Sequence, residues 1–238
     1  MDRLRIPSTV TDRIRPHAKE TLAKLKTFVE HDCVPADDVF ESQLGSNPEE
    51  RARTIPPILG DLKKKARELG LWNLWLHSHY EDGAGFTNLE YGLMCETMGR
   101  SRIAPEATNC SAPDTGNMEV LAKHGTKEQK ERWLQPLLEG EIRSSFVMTE
   151  RQQASSYAKN VSMSMRREGG EYVLNGTLTM GIRWIVFAKS NPEEPDENKQ
   201  HSVILVSPQS PGVTILRNLH VYGFDGKLPA SMQHKHSS

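Results

Sequence analysis

Residues 133–149 read WLQPLLEGEIRSSFVMT, and the pattern of apolar residues changes within this stretch. Its first half has apolar side chains at helical spacing, at Trp133, Leu134, Leu137 and Leu138. Gly140 follows as the predicted end of that helix. Residues 144–149 then form a short strand-like run. The stretch therefore predicts a boundary near residue 142, with helices before it and a sheet after it.

Upstream of this boundary, the apolar spacing predicts helices. Residues 10–29 carry one apolar face at three- and four-residue steps. A second helix opens at Pro56 and Pro57 and ends before Gly70. Further helices are predicted around residues 89–94 and over Asp114–His124. The first part of the chain is therefore expected to be entirely helical.

Three local signals add detail to this helical part. Asp32–Glu50 is polar and contains proline and glycine, so we expect a loop there. Gly125 is expected to end the preceding helix in a left-handed conformation. Thr126 and Gln129 have capping-box spacing, in which the Thr oxygen accepts an N–H group and the Gln side chain reaches back.

Downstream of the boundary, short alternating runs predict strands. They cover residues 161–165, 172–174, 182–188, 202–206 and 213–216. Glu168–Gly170 is predicted as a turn, Asn175–Gly176 as a hairpin, and the charged segment Asn191–Gln200 as a solvated loop. Because the predicted strands follow one another closely, we expect an antiparallel sheet.

The predicted fold class is α+β, with an N-terminal all-α helical domain followed by an antiparallel β-barrel or sandwich-like domain. The helical domain is assigned to residues 1–142 and the β-domain to residues 143–226. Residues 227–238 form a polar tail, and we expect its His234 and His236 to be disordered.

The composition excludes several classes of protein. The 238 residues contain 30 Lys and Arg and 31 Asp and Glu, so the net charge of −1 gives no reason to expect nucleic acid or an anionic membrane as a partner. No apolar window is long enough for a membrane span. The cysteines Cys33, Cys95 and Cys110 are far apart, which indicates neither a disulfide scaffold nor a zinc site and fits a reducing compartment.

The residues alone leave the chemistry open. His77 and His79 have no third metal ligand at a fitting spacing, so we interpret them as loop residues, and we predict no metal site. Gly83–Gly85 resembles a fragment of a phosphate loop but has no strand before it. Residues 144–156 run from a strand into small hydroxyl residues. This exit either presents N–H and hydroxyl groups to a planar or phosphate-bearing ligand or is a serine-rich turn.

Several segments together resemble the acyl-CoA dehydrogenase family. They are residues 70–74 (GLWNL), 109–121 (NCSAPDTGNMEVL), 125–130 (GTKEQK), 133–140 (WLQPLLEG), 146–150 (FVMTE), 172–176 (YVLNG) and 211–213 (PGV). The segment 109–121 is most similar to the branch whose animal members are often fused to a phosphotransferase-like domain. The resemblance runs from about residue 55 to Gly226.

This resemblance implies a three-part fold, with an N-terminal helical domain, a middle β-domain and a C-terminal four-helix domain. The chain would supply the first two, so the C-terminal domain is expected to be absent. By resemblance, the family oxidises the Cα–Cβ bond of an acyl-CoA thioester. A glutamate removes the α proton, and FAD accepts the β hydride.

The resemblance also assigns site residues. The FAD-binding strand is matched by Phe146, Val147, Met148 and Thr149, and the small hydroxyl positions near FAD and acyl-CoA are matched by Ser155 and Ser156. Ser156 is therefore also assigned to the acyl-CoA substrate. Each assignment has a structural alternative, because Phe146 and Val147 would fill the β-domain and Ser155 would cap a turn.

The chain departs from the family pattern at several positions. Arg151–Gln153 replaces a proline and an acidic or glycine residue, and Tyr157 stands where the family has an aspartate. Residues 177–182 are shorter than the family's tryptophan-rich stretch and contain no aromatic residue before Trp184. No residue is assigned as the catalytic base, because that glutamate belongs to the C-terminal domain and Glu150 belongs to the flavin strand.

Three hypotheses follow from the sequence. The chain is an acyl-CoA dehydrogenase-like flavoprotein, a non-catalytic fragment that binds itself or a full-length relative, or a truncated product without a settled function. We expect an exposed apolar patch on the helical domain and therefore a homo-oligomer or a complex with a relative. The resemblance implies mitochondria or peroxisomes, although the first thirty residues have no clear targeting signal.

Overall fold

Helices make up the first of two compact units, and a sheet makes up the second. The computed structural model describes residues 6–45, 51, 54–77, 80, 83–150, 152–154, 156–180, 184–207, 209–218 and 230–234. Among these residues, the helical unit extends to Glu141 and the main part of the sheet unit begins at Ile142. No helix in these ranges is both long and apolar enough to cross a lipid bilayer.

The helical unit follows the predicted pattern with one large correction. Its helices are α1 (Pro16–Phe28), α2 (Val34–Ser42), α3 (Pro57–Glu68), α4 (Asn88–Met98), α5 (Ala104–Ala107), α6 (Asp114–His124), α7 (Lys127–Gln129) and α8 (Gln135–Leu138). Turns of π-helix, Val29–Cys33 and Lys130–Leu134, join α1 to α2 and α7 to α8. A 3₁₀ turn, Thr11–Arg13, precedes α1.

The predicted loop over Asp32–Glu50 is wrong for its first part, because the chain there continues as α2. Pro35 lies in the first turn of α2, where a proline is tolerated. The Asp37 carboxylate accepts hydrogen bonds from the Ser101 hydroxyl at 2.9 Å and from the Ile103 N–H at 3.2 Å. These partners are more than sixty residues away, so local composition does not predict the helix.

The helix ends show which local signals hold. The capping box of Thr126 and Gln129 is confirmed, and α4 has a second box in which Thr87 and Glu90 exchange hydrogen bonds. Gly70 follows α3 with φ +70°, as a helix stop requires. Gly125 was expected to be left-handed, and this prediction is wrong. Its φ and ψ are −67° and 143°, an extended conformation.

The helical unit has a large apolar core. Its fully buried members include Leu25, Phe28, Leu71 and Met94. Close by, the buried carboxylate of Glu90 on α4 accepts hydrogen bonds from the guanidinium and backbone N–H of Arg15, the residue before α1. This pair joins the first long helix to α4, seventy-five residues later in the chain.

Among the described residues, the sheet unit contains seven strands, β1 (Ser145–Val147), β2 (Ser164–Glu168), β3 (Glu171–Met180), β4 (Trp184–Lys189), β5 (His201–Val206), β6 (Val213–Asn218) and β7 (Ala230–His234). They form one curled sheet in the order β1-β4-β2-β3-β7-β6, and β5 also pairs with β4. Most pairs are antiparallel, whereas β1 and β2 pair with β4 in parallel. The predicted α+β fold class is confirmed, and the parallel pairs make the sheet mixed.

Of the two turns predicted for the sheet, the one at Glu168–Gly170 is confirmed and the hairpin at Asn175–Gly176 is wrong. The hairpin lies at Gly169–Gly170, between β2 and β3, and β3 runs without a turn through Asn175 and Gly176. β3 pairs with β2 up to Asn175 and with β7 from Gly176 onward. A Cβ atom at Gly176 would lie 3.0 Å from the side chain of Met163, so the glycine allows close packing at this change of partner.

The predicted disorder of the C-terminal tail is also wrong for residues 230–234. These residues form β7, which pairs with β3 and β6. His234 is therefore a strand residue paired with Gly176 and Val213, whereas His236 lies outside the described residues. The polar sequence of residues 230–234 has no apolar alternation. The strand β7 therefore depends on its hydrogen bonds to β3 and β6.

Candidate functional site

The predicted flavin strand is the three-residue strand β1. It pairs in parallel with β4, and Ser145, Phe146 and Val147 lie opposite Trp184, Ile185 and Val186. The backbone of Trp184 is thus next to the start of β1. Sequence reasoning noted Trp184 as the first aromatic residue after Asn175–Gly176 but did not predict this register, because parallel pairing is not a local property.

Some side chains of β1 and of the residues after it are buried, and others are exposed to solvent. Val147 is fully buried, and Met148 packs against the same core. The position of Val147 agrees with the structural alternative, in which this side chain fills the β-domain. Phe146 is 43% exposed, and Thr149 is exposed as well. Within the described part of the chain, the Thr149 hydroxyl has no hydrogen-bond partner. The strand exit therefore offers an aromatic ring and an unpaired hydroxyl at the surface.

Ser156 lies in the turn that follows this exit, whereas Ser155 lies outside the described residues. The turn closes with a hydrogen bond from the Tyr157 N–H to the Ala154 carbonyl at 3.2 Å. The Asn160 side chain donates a second bond to the same carbonyl at 3.4 Å. Ser156 is exposed in this turn, so its hydroxyl is accessible from solvent.

Tyr157, which replaces the family's aspartate, belongs to a charged surface group. It is 53% exposed, and the Lys159 ammonium lies 5.9 Å from the centre of its ring. Lys159 also donates a hydrogen bond to the Glu197 carboxylate at 3.1 Å. This hydrogen bond raises the pKa of Lys159. An aromatic face and a cation thus follow Ser156 in the sequence, one and three residues later.

Glu150 has a role that sequence reasoning missed. Its carboxylate is buried and accepts hydrogen bonds from the backbone N–H groups of Ser162 at 2.7 Å and Met163 at 2.6 Å. Both oxygens are therefore engaged within the sheet unit. The sequence signal was only an acidic residue between the end of an apolar run and a polar segment.

The other sequence candidates do not form a second site in the described ranges. His77 is described and His79 is not, and no described group of three or more His, Cys, Asp or Glu residues could hold a metal ion. A Cβ atom at Gly83 would lie 2.0 Å from the His77 carbonyl oxygen. Close backbone packing therefore explains this glycine without a phosphate ligand.

The helical unit followed by a curled mixed sheet is the arrangement of the first two domains of an acyl-CoA dehydrogenase. A family model described as acyl-CoA dehydrogenase, N-terminal domain, matches residues 15–141, more than half of the chain. The chain therefore belongs to the acyl-CoA dehydrogenase family.

Individual relatives agree with this membership. Acyl-CoA dehydrogenase family member 10 from Mus musculus is 44% identical over 225 residues, which cover 89% of this chain and 21% of that protein. A solved Mycobacterium abscessus structure assigned to the acyl-CoA dehydrogenases is 37% identical with a TM-score of 0.82, and the match covers 92% of this chain and 57% of that one. The chain thus spans about a fifth of the mouse protein and just over half of the solved one.

A more distant neighbour extends the fold comparison. Glutaryl-CoA dehydrogenase from Mycobacterium smegmatis, solved in complex with FADH2, is 22% identical with a TM-score of 0.67. The match covers 94% of this chain and 54% of that one. At this level of identity the likeness concerns the fold, which both chains share over the helical and the sheet parts.

Proposed function

We propose that this chain provides the flavin-binding and acyl-CoA-binding surfaces of a FAD-dependent acyl-CoA dehydrogenase. Residues 1–142 act as the family's N-terminal helical domain, and residues 143–226 act as its middle β-domain. The observation that carries the proposal is the exit of β1, where the Thr149 hydroxyl is exposed and unpaired among the described residues. When bound, FAD supplies the hydride acceptor for oxidation of the Cα–Cβ bond.

The residues at this exit fit an isoalloxazine edge. Phe146 offers an exposed ring for apolar contact, and Thr149 offers one hydroxyl that can donate or accept a hydrogen bond. By resemblance, Ser155 and Ser156 bind FAD, and Ser156 also binds the acyl-CoA thioester. Support from the fold comes from glutaryl-CoA dehydrogenase, which holds FADH2 within the same architecture.

The chain by itself is proposed to be impaired as an enzyme. None of its described carboxylates is assigned as the base, and Glu150, which directly follows the proposed flavin contacts, already accepts two N–H groups. Residues 177–180 provide no aromatic ring for the flavin, and an aromatic stack contributes roughly 0.5–1.5 kcal/mol beyond burial. We therefore expect weak FAD binding and no acyl-CoA oxidation by these 238 residues alone.

Titration of the purified chain with FAD tests the proposal. Quenching of flavin fluorescence and a shifted visible band are the expected results. A chain that stays colourless at high FAD concentration would contradict the flavin role. A thermal-shift series with short-, medium- and long-chain acyl-CoA then tests the substrate surface, because a ligand that binds the folded state raises the unfolding temperature. Free CoA serves as the control for the acyl group.

The second candidate function is a non-catalytic fragment that associates with itself or with a full-length relative. It is favoured by exposed apolar side chains in the helical unit, where Ile55 is 81% exposed and Val34, Val39 and Leu69 are each about 40% exposed. Light scattering after gel filtration measures the mass of the particle in solution. A stable monomer that also fails to bind a co-expressed relative would contradict this candidate.

A further inference from the structure

We propose that Glu150 is a positioning residue that holds the Thr149 hydroxyl at the flavin edge. The inference rests on the proposed function, because it assumes that FAD binds at the exit of β1. The Glu150 carboxylate is buried, so it is not proposed to contact FAD. Its role is to fix the backbone of the residue immediately before it.

The ladder between β1 and β4 ends two residues before the proposed hydroxyl contact. Val147 is the last residue of β1 and lies opposite Val186 of β4. Met148 and Thr149 follow outside any strand. Without a second anchor, the backbone at Thr149 would be free to move, because no ladder bond constrains it beyond Val147.

Glu150 provides that second anchor directly after Thr149. Its two carboxylate oxygens accept the N–H groups of Ser162 at 2.7 Å and Met163 at 2.6 Å. Only 6% of the residue is exposed, so water competes little for these bonds. Hydrogen bonds from backbone N–H groups to a carboxylate are charge-assisted and stronger than those between neutral groups.

The point of attachment is itself rigid. Met163 is fully buried, and its side chain packs against Gly176 of β3. Its carbonyl oxygen accepts the N–H of Lys189, the last residue of β4, at 2.8 Å. The bonds thus form a closed frame from β1 through Glu150 and Met163 to β4 and back to β1. Thr149 is the exposed hydroxyl residue between β1 and Glu150.

The frame predicts what Glu150→Gln does. Glutamine keeps the size of the side chain but replaces one acceptor oxygen with an NH₂ group that faces an N–H donor. One bond is lost, the charge is lost, and the strand exit loosens. In the full chain, we expect the Kd for FAD to rise by up to about tenfold, the limit set by complete loss of the Thr149 contact. Glu171→Gln, at an exposed glutamate in the hairpin between β2 and β3, should bind FAD like the wild-type chain.

Two readouts separate positioning from general stability. Amide hydrogen exchange of the chain without FAD should show lost protection at Ser162 and Met163 in Glu150→Gln and not in Glu171→Gln. At saturating FAD, the visible flavin band of Glu150→Gln should resemble that of free FAD more than the wild-type band does. Glu150→Asp keeps the charge but is one methylene shorter, so it should give an intermediate loss of affinity and serves if the glutamine variant does not fold.

The outcomes distinguish this inference from the proposed function. A folded Glu150→Gln chain that binds FAD with wild-type affinity and band shape overturns the positioning role and leaves the flavin site in place. An affinity loss that disappears when the fraction of folded chain is restored by cooling also overturns it. A wild-type chain that binds no FAD overturns the proposed function and, with it, the flavin role of Glu150.

Discussion

The two units each bury a glutamate, and they neutralise it in different ways. In the helical unit, Glu90 accepts hydrogen bonds from the Arg15 guanidinium and from the Thr87 N–H, so a full positive charge faces the carboxylate. In the sheet unit, Glu150 accepts backbone N–H groups from Ser162 and Met163. The first arrangement ties together two helices that are far apart in sequence, whereas the second fixes the exit of a short strand.

The two glutamates therefore have different roles. Glu90 stabilises the helical unit, whereas Glu150 lies beside the candidate site in the sheet unit. Glu90 is 1% exposed, and the Arg15 hydrogen bonds are the main reason that its pKa falls to about 2. The described sheet unit has a smaller buried core, and Phe146 and Thr149 are exposed at its β1 exit. Substitutions in the two regions should therefore change different measured quantities.

The largest expected effect is that of Glu90→Gln on the stability of the helical unit. The amide loses the charge and one acceptor where several donors converge, so the free energy of unfolding should fall by about 3 kcal/mol. Glu128→Gln, an exposed change on α7, should have almost no effect. Hydrogen exchange at core amides of each unit measures the loss of stability in the two variants. Equal exchange in the two variants would contradict the stabilising role of Glu90.

The contribution of Glu90 to the free energy of unfolding should also depend on pH. Because the pKa of Glu90 is lowered from 4.5 to about 2, its pairing stabilises the fold at neutral pH. This contribution is at most about 3 kcal/mol and is lost as the pH falls from about 5 to 2. The partial exposure of Arg15 reduces it further. In urea unfolding, the gap between wild-type and Glu90→Gln chains should narrow over this range, and a constant gap would contradict the assignment.

The next effect compares two left-handed glycines, one in each unit. Gly140 has φ +64° and Gly169 has φ +61°, so alanine is strained at both, by roughly 1 kcal/mol. An added Cβ atom at Gly140 would lie 2.8 Å from the Trp72 ring, whereas at Gly169 it meets nothing within 4 Å. Trp72 is held in place, because its indole N–H donates to the Leu138 carbonyl at 2.8 Å.

Gly140→Ala should therefore lower the free energy of unfolding by about 2 kcal/mol, roughly 1 kcal/mol more than Gly169→Ala. Denaturant unfolding followed by tryptophan fluorescence and by far-UV circular dichroism measures both variants. If both alanine variants lose the same free energy of unfolding, the contact with Trp72 adds nothing to the strain of the left-handed backbone.

The smallest effect is expected at the candidate site. Thr149→Val keeps the shape of the side chain and removes its hydroxyl, so the Kd for FAD should rise by up to about tenfold. Because this hydroxyl has no partner among the described residues, stability should stay the same. Thr214→Val, at an exposed position of β6, is the matched control and should leave the FAD affinity unchanged. A loss of stability in Thr149→Val would indicate a structural role.

The candidate site was only partly predictable from the sequence. The order of apolar and hydroxyl residues placed a strand at residues 144–149, and the structure has β1 within this range. The sequence did not predict that Phe146 and Thr149 are exposed while Val147 is buried, because β1 ends at Val147 and the alternation of a strand ends with it. The anchoring of Glu150 was also hidden, since its two donors lie twelve and thirteen residues away.

The sequence by itself determined the order of helices followed by strands and most of their positions. Helix α6 begins and ends at the predicted residues, and α3 ends two residues before the predicted stop at Gly70, because apolar spacing and caps act within a few residues. Only the tertiary structure decided α2, the unbroken strand β3 and the strand β7. Each of these depends on hydrogen bonds to partners distant in sequence, whose energy exceeds the local preference for a loop or a turn.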